Sequence, residues 1–128
     1  MSDVVWTDSE LETIGRVEEI RLATRRKDGS LRAPVTIWIG ESDSQVYVRS
    51  GNGVDGSWYR FAVANAEGRV DASGLSVDVV FEPVTDSAII AAVSAAYRQK
   101  YGRYEKIYGQ PIVTPQSESA TLRLNPQR

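Results

Sequence analysis

Arg21-Leu22-Ala23-Thr24-Arg25-Arg26-Lys27-Asp28-Gly29-Ser30-Leu31-Arg32-Ala33-Pro34-Val35-Thr36-Ile37-Trp38-Ile39 reads as two strands around a turn. Its Asp-Gly centre is the strongest short hairpin signal. With Asp28 and Gly29 at the tip, Lys27 faces Ser30, Arg26 faces Leu31 and Arg25 faces Arg32. A four-residue loop from Lys27 to Ser30 gives the same pairing. That register sets Leu22 against Val35 and Ile20 against Ile37, so the apolar faces coincide, an independent argument for the hairpin. Leu31, Ala33, Val35, Ile37 and Ile39 share one face; Arg32, Pro34, Thr36 and Trp38 share the other. Like charges directly opposite each other are destabilising. An Arg25–Arg32 pair therefore fits two readings: an anion such as a phosphate held between them, or two guanidinium groups splayed into water at an exposed hairpin end.

Before the hairpin, Thr7 and Glu10 stand at capping-box spacing and open a short helix with Leu11 and Ile14 as its apolar stripe, ended by Gly15. After it, Gly40–Ser44 reads as a polar turn and Gln45–Ser50 as a third strand. Gly51–Gly56 is a glycine-rich loop, and Ser57 caps a short helix, Trp58–Ala66. Gly68–Ala72 and Leu75–Pro83 read as strands around Ser73-Gly74. Asp86 opens the clearest helix, Asp86–Tyr101, with Ile89, Val93, Tyr97 and Tyr101 four apart. Ala120–Leu124 reads as a last strand. The sum is an α+β chain with about three helices and a mainly antiparallel six-stranded sheet curled into a barrel, with the hairpin Val17–Ile39 at its centre.

The 128 residues suit one domain, 1–128. With no cysteine there is neither disulfide nor zinc–thiolate site, which fits a reducing, cytoplasmic setting. The Met1–Trp6 stretch has no basic region or long apolar run, so neither a signal peptide nor a membrane span is expected. With no histidine, Ser-His-Asp and Cys-His chemistry and histidine metal sites are excluded. A net charge of −2 argues against nucleic acid as a partner. Arg21, Arg25, Arg26, Lys27 and Arg32 nevertheless crowd into one hairpin.

The loop Arg49-Ser50-Gly51-Asn52-Gly53-Val54-Asp55-Gly56-Ser57 leads into a helix. Its glycines allow backbone amides close to a ligand, or they make a long turn and nothing more. It lacks P-loop spacing, since no lysine follows the last glycine. Trp38, Trp58 and Tyr59 could wall a flat pocket or pack in the core. Tyr97, Tyr101, Tyr104 and Tyr108 would form one stripe on a continuous helix, against a ligand, a sheet or a partner subunit. No pair of carboxylates demands acid–base work, and no metal site is expected.

Arg25–Ser30, Ala33–Trp38, Val46–Ser50, Gly53, Trp58-Tyr59-Arg60, Ala96–Tyr101 and Thr121–Leu124 together resemble an uncharacterised bacterial family, domain of unknown function 2255. The same run is similar, more distantly, to the deazaflavin-dependent nitroreductases. Both look like members of the flavin-binding split-barrel superfamily that includes pyridoxamine phosphate oxidases. The resemblance implies a six-stranded split β-barrel, usually a homodimer, and a flavin-type cofactor, deazaflavin (coenzyme F-420) or FMN. It makes Arg26, Lys27 and Arg32 phosphate contacts, to which the anion reading of the Arg25–Arg32 pair adds Arg25. Val48, Arg49, Ser50, Gly51 and Gly53 become ring-side contacts, and Trp58 a pocket wall. Two residues depart from the nitroreductase pattern: Arg32 stands two positions before Pro34 rather than three, and Arg49 replaces a small residue. The implied activity is hydride transfer to a small organic acceptor. The alternative is a cofactor-free barrel acting as a small-anion-binding or dimeric interaction module.

Overall fold

In the computed structural model, β1 (Ile20–Thr24) and β2 (Val35–Ile37) pair antiparallel, with Leu22 opposite Val35 and Ile20 opposite Ile37, as the alternation requires. The structure describes residues 5–51, 53–102 and 114–127. The hairpin tip departs from expectation. Arg26 N–H donates to Ser30 O at 2.8 Å and Gly29 N–H to Arg26 O at 2.9 Å, so the loop is Lys27-Asp28-Gly29. Gly29 sits at φ 90°, where a side chain would be strained, and closes a type I turn as such glycines do. The Asp28 carboxylate accepts from Ser30 N–H at 2.9 Å and Ser30 Oγ at 2.7 Å. These bonds lower its pKa.

The three-residue tip shifts the local register by one residue, and Arg25 faces Leu31 rather than Arg32. Ala23 and Thr24 then oppose Arg32–Pro34 before the register recovers at Leu22 and Val35. This bulge falls where Pro34 has no N–H to give a ladder. The expected Arg25–Arg32 pair does not form. Arg25 donates to Gly29 O at 2.7 Å and to Asp78 Oδ1 at 2.9 Å, while the Arg32 guanidinium lies 3.8 Å from the Phe61 ring centroid.

The sheet has seven strands, not six. The sequence from Val35 runs on past a break into β3 (Gly40–Ser42), which turns through Asp43 and Ser44, both at positive φ, into β4 (Gln45–Arg49). That is the backbone of a two-residue I′ hairpin, tighter than the polar loop expected at Gly40–Ser44. β5 (Glu67–Ala72), β6 (Leu75–Pro83) and β7 (Thr121–Pro126) complete the antiparallel order β2-β1-β5-β6-β7-β4-β3. The hairpin β1–β2 therefore lies at one side of the sheet, and β6 is central.

Among the described residues four α-helical segments accompany the sheet. α1 (Asp8–Arg16) has the capping box, Thr7 and Glu10 exchanging bonds of 3.1 and 2.8 Å. α2 (Ser57–Asn65) is capped by Gly56, without a side-chain bond, rather than by Ser57. α3 (Ser87–Tyr101) is capped by Asp86, and α4 is the single turn Pro115–Glu118. One sheet face carries the main core, Ile20, Leu22, Val46, Val48, Val70, Val79, Phe81, Leu122 and Leu124, closed by Trp6 and Ile14 of the N-terminal segment and by Tyr59 and Ala62 of α2. α3 packs on the opposite face, where Tyr47, Val84, Val93, Tyr97 and Tyr101 form a second cluster. No helix among the described residues is long and apolar enough to cross a membrane.

The sheet's two edge strands, β2 and β3, are consecutive in the chain, separated only by Trp38 and Ile39. Crossing from one edge to the other breaks the ladder there, and buried backbone groups left without partners are costly. The end of α3 supplies them. Ile39 N–H donates to Tyr101 Oη at 3.1 Å, and Ile39 O accepts from Lys100 Nζ at 3.1 Å. Tyr101 Oη also donates to Glu18 O at 2.6 Å, and Lys100 Nζ to Ile14 O at 2.9 Å. Trp38 stacks flat on the Tyr101 ring at 4.1 Å. Burial lowers the Lys100 pKa to about 8, against the opposing field of Glu41.

Tyr101→Phe keeps the stack but strands the Ile39 N–H, and should cost about 1–3 kcal/mol in urea unfolding; an unchanged midpoint would show that the hydroxyl closes nothing. Lys100 binds its proton less tightly in the folded chain than in the unfolded one. Wild type should therefore gain stability relative to Lys100→Met as pH rises from about 8 toward the ordinary lysine value of 10.5. A flat difference across that window would refute a buried ammonium. Asp78 behaves oppositely. Bonds from Arg69 and Arg25 lower its pKa below the ordinary aspartate value of 3.8, so its contribution is present above that pH and fades as pH falls through the lowered value. Both pairs are partly exposed, so Asp78→Asn should cost only about 1 kcal/mol at neutral pH, and nothing in strong acid.

Candidate functional site

The hairpin tip is held against one flank of α2. Asn65 Nδ2 donates to Arg25 O at 3.0 Å and to Arg26 O at 3.3 Å. Trp58, Phe61 and Asn65 recur at steps of three and four, so they share that flank of the helix, while Tyr59 and Ala62 point to the core. Phe61 is exposed for a core-type residue, at 41%. Over its ring lies the half-buried Arg32 guanidinium, in the arrangement of a cation–π contact. Arg32 Nε is buried with no hydrogen-bond partner among the described residues. Among the described residues no carboxylate pairs with Arg32.

The other basic residues of the tip are differently placed. Arg26 Nη1 folds back onto its own hairpin, reaching Leu31 O at 3.1 Å and Ser30 Oγ at 3.3 Å. Lys27 is exposed at the turn. Arg25 is committed to Gly29 O and to Asp78, which also takes the Arg69 Nε–H at 2.9 Å. Arg32, Arg26 and Lys27 thus form the accessible basic surface of the tip, and Arg25 ties it to Asp78 of β6.

At the other end of α2 lies the glycine-rich loop. Gly53–Asp55 forms one turn of 3₁₀ helix, with Gly53 at φ 67°. Gly53 N–H donates to Ser50 O at 3.0 Å, and Gly56 N–H to Gly53 O at 3.2 Å. A side chain at Gly53 would run into Gln116 of α4, and one at Gly56 into Ser50 Oγ. Gly51 is exposed, Ser50 is buried, and the Val48 side chain is in the main core. Any contact from Val48 to a ligand is therefore through its backbone. Trp58 is half-buried, edge-on to Tyr59 at 6.3 Å between centroids.

Arg49 points away from this loop's open side. It shares its sheet face with Tyr47 and is buried beneath α3, at 2% exposure. Nε donates to Thr121 Oγ1 at 2.9 Å, Nη1 to Ser94 Oγ at 2.8 Å and Nη2 to Ile90 O at 2.8 Å. Burial lowers its pKa, opposed by Tyr97 and by Glu118. The tyrosine stripe divides in two: Tyr97 and Tyr101 serve the packing of α3, and Tyr104 and Tyr108 lie outside the described residues. Of the aromatic trio, Trp38 is taken up by Tyr101 and only Trp58 borders the loop.

Phe61 and Asn65 escape the sequence pattern, since each gains its role only with Arg32 and the hairpin carbonyls beside it, and Ser94, Thr121 and Glu118 are polar residues too ordinary in their local pattern to signal anything. Among the described residues no cluster of three or more potential metal-ligating side chains occurs.

No curated protein matches the sequence. Solved structures do match the fold. A FAD-binding protein from Mesorhizobium loti superposes with a TM-score of 0.63 at 16% identity, covering 96% of this chain and 91% of its own. An F-420-H2-dependent reductase gives 0.62 at 16% identity over 84% of this chain and 94% of its own. The heme storage protein of Vibrio cholerae gives 0.66 at 17% identity over 94% and 90%. At these identities the likeness is one of architecture, the split barrel. The sequence pattern of the uncharacterised proteins conserved in bacteria called DUF2255 matches residues 10–124, nearly the whole chain, and the protein belongs to that family.

Proposed function

We propose that this protein binds a phosphate-bearing flavin-type cofactor, deazaflavin (coenzyme F-420) or FMN, along the flank of α2 between the hairpin tip and the loop Ser50–Gly56. The carrying observation is Arg32, a guanidinium stacked on Phe61 with a buried Nε that has no partner among the described residues. Among those residues the rest of that guanidinium makes no hydrogen bond or ion pair either, and a phosphate oxygen at its terminal nitrogens would supply one. Arg26 and Lys27 extend the same positive surface. Trp58 and Phe61 offer an apolar wall, and the exposed Gly51 lets the loop backbone approach a flat ring. The fold's occurrence in a FAD-binding protein and in an F-420-H2-dependent reductase supports the cofactor class.

When bound, such a cofactor supplies hydride transfer, here to a small organic acceptor, and the chain needs no histidine or cysteine for it. What the residues provide is position: Arg32 fixes the phosphate and Trp58 walls the ring. The reading also makes the protein a homodimer, with exposed Val54, Phe61 and Val63 as apolar surface near the site for a second copy.

Titration of FMN and of deazaflavin, followed by fluorescence, tests the cofactor. Arg32→Ala should weaken binding about tenfold or more, as loss of a charge-assisted bond implies, with a smaller effect at high salt and little change in thermal stability. Equal affinities for wild type and variant at low salt would remove Arg32 from the site. Binding of neither compound to wild type would favour the cofactor-free alternative. Sedimentation at micromolar concentration should show a dimer, and a monomer there would overturn that part of the reading.

A further inference from the structure

We infer that Arg49 is a positioning residue for the ligand loop, acting through a buried polar network rather than by touching a ligand. The inference rests on the reading that Ser50–Gly56 borders the cofactor, but the network itself is independent of any ligand. Arg49, on β4, reaches two other elements at once: Ser94 and Ile90 on α3 and Thr121 at the start of β7. Two of those partners converge on α4. Ser94 Oγ donates to Glu118 Oε2 at 2.7 Å, and Thr121 Oγ1 donates to Glu118 O at 2.8 Å. Arg49, Ser94 and Thr121 are each at least 98% buried. α4 in turn lies against the loop, with Gln116 against Gly53, where a side chain would not fit. Ser50 N–H, next in sequence to Arg49, donates to Ala120 O at 3.3 Å, and Gly53 N–H returns to Ser50 O.

The loop's two supports, β4 and α4, are thus fixed to each other by one guanidinium. Its planar fork can satisfy three differently directed acceptors, where an ammonium on a flexible stem satisfies fewer at that geometry. The guanidinium is directed toward α3, and it holds the loop from behind.

Amide hydrogen exchange of the ligand-free protein tests this directly. In Arg49→Met, and more mildly in Ser94→Ala, amides of Ser50–Gly56 and Ser117–Thr121 should exchange about tenfold faster or more. Amides of β5 and β6 serve as the reference for global stability and should change less. Arg49→Lys should restore part of the protection, and every variant that loses loop protection should bind FMN or deazaflavin more weakly in proportion. Unchanged loop exchange in Arg49→Met or Ser94→Ala, with affinity lost only in the former, would mean direct ligand contact and would overturn the inference. If Arg49→Met does not fold, Ser94→Ala and Arg49→Lys decide the same question. Failure of wild type to bind either compound would sink the cofactor reading, while the exchange result would still stand or fall alone.

Discussion

A sheet whose two edge strands are neighbours in sequence must interrupt its hydrogen-bond ladder once, and everything else in this protein depends on how that interruption is closed. The break at Trp38–Ile39 would leave a buried N–H and C=O without partners. Tyr101 and Lys100 supply them from the last turn of α3. The same two side chains reach Glu18 O and Ile14 O, fixing the exit of α1 to the same point. One helix end thereby sets how far β2 and β3 diverge, and with it the curl of the sheet. Gly40 follows directly, close enough to the Tyr97 ring to show that α3 sits tightly over β3. Ile39 turns its side chain into the main core while its backbone is held from the other side.

The arginines illustrate how little a residue type says about its duty before its surroundings are known. Arg25, Arg32 and Arg49 carry the same group and meet three fates. Arg25 is neutralised by Asp78 and spends its remaining donors on the turn. Arg49 is taken out of water and satisfied by a hydroxyl, a second hydroxyl and a carbonyl, a costly placement that tolerates no missing partner. Arg32 is stacked on an aromatic ring and left with unspent hydrogen-bonding capacity. Only the last has something to offer a ligand that arrives from solution.

Much of the fold was legible because it rests on periodicity. Two-residue alternation set the β1–β2 register, four-residue spacing set the buried stripe of α3, and Thr7 with Glu10 marked the start of α1. What escaped was decided by single residues acting over distance. The hairpin tip closes on three residues rather than two because Gly29 and the Asp28 carboxylate favour a type I turn, and that one-residue difference separates Arg25 from Arg32. The run Val35–Ser42 has no turn signal at Trp38–Ile39, so nothing local reveals that it serves both edges of the sheet. For the candidate site, the basic tip and glycine loop were visible as composition. The α2 flank that joins them was not, because Phe61 and Asn65 acquire meaning only once Arg32 and the Arg25 carbonyl lie beside them. Arg49 lies with Tyr47 on the face that α3 covers, a placement visible only in the structure, and it argues against a ring-side role for its guanidinium.

α2 is the beam that makes one site of two distant features. Nine residues at about 1.5 Å each give it a length of roughly 13 Å, a span suited to one mononucleotide-sized molecule. Its first turn follows the loop that α4 holds, and its last residue is bonded to the hairpin tip. Positive charge is concentrated at the hairpin end, and the aromatic residues Phe61 and Trp58 lie between it and the loop. A ligand matching that order would be anionic at one end and flat and apolar at the other. Because the chain carries no histidine or cysteine, its own side chains offer few groups that exchange protons near neutral pH and none that undergo thiol redox chemistry. Under the proposed reading, reactivity at this surface comes with the ligand, and the protein supplies shape and charge: the stack beneath Arg32, the length of α2 and the loop that packs on α4 at Gly53.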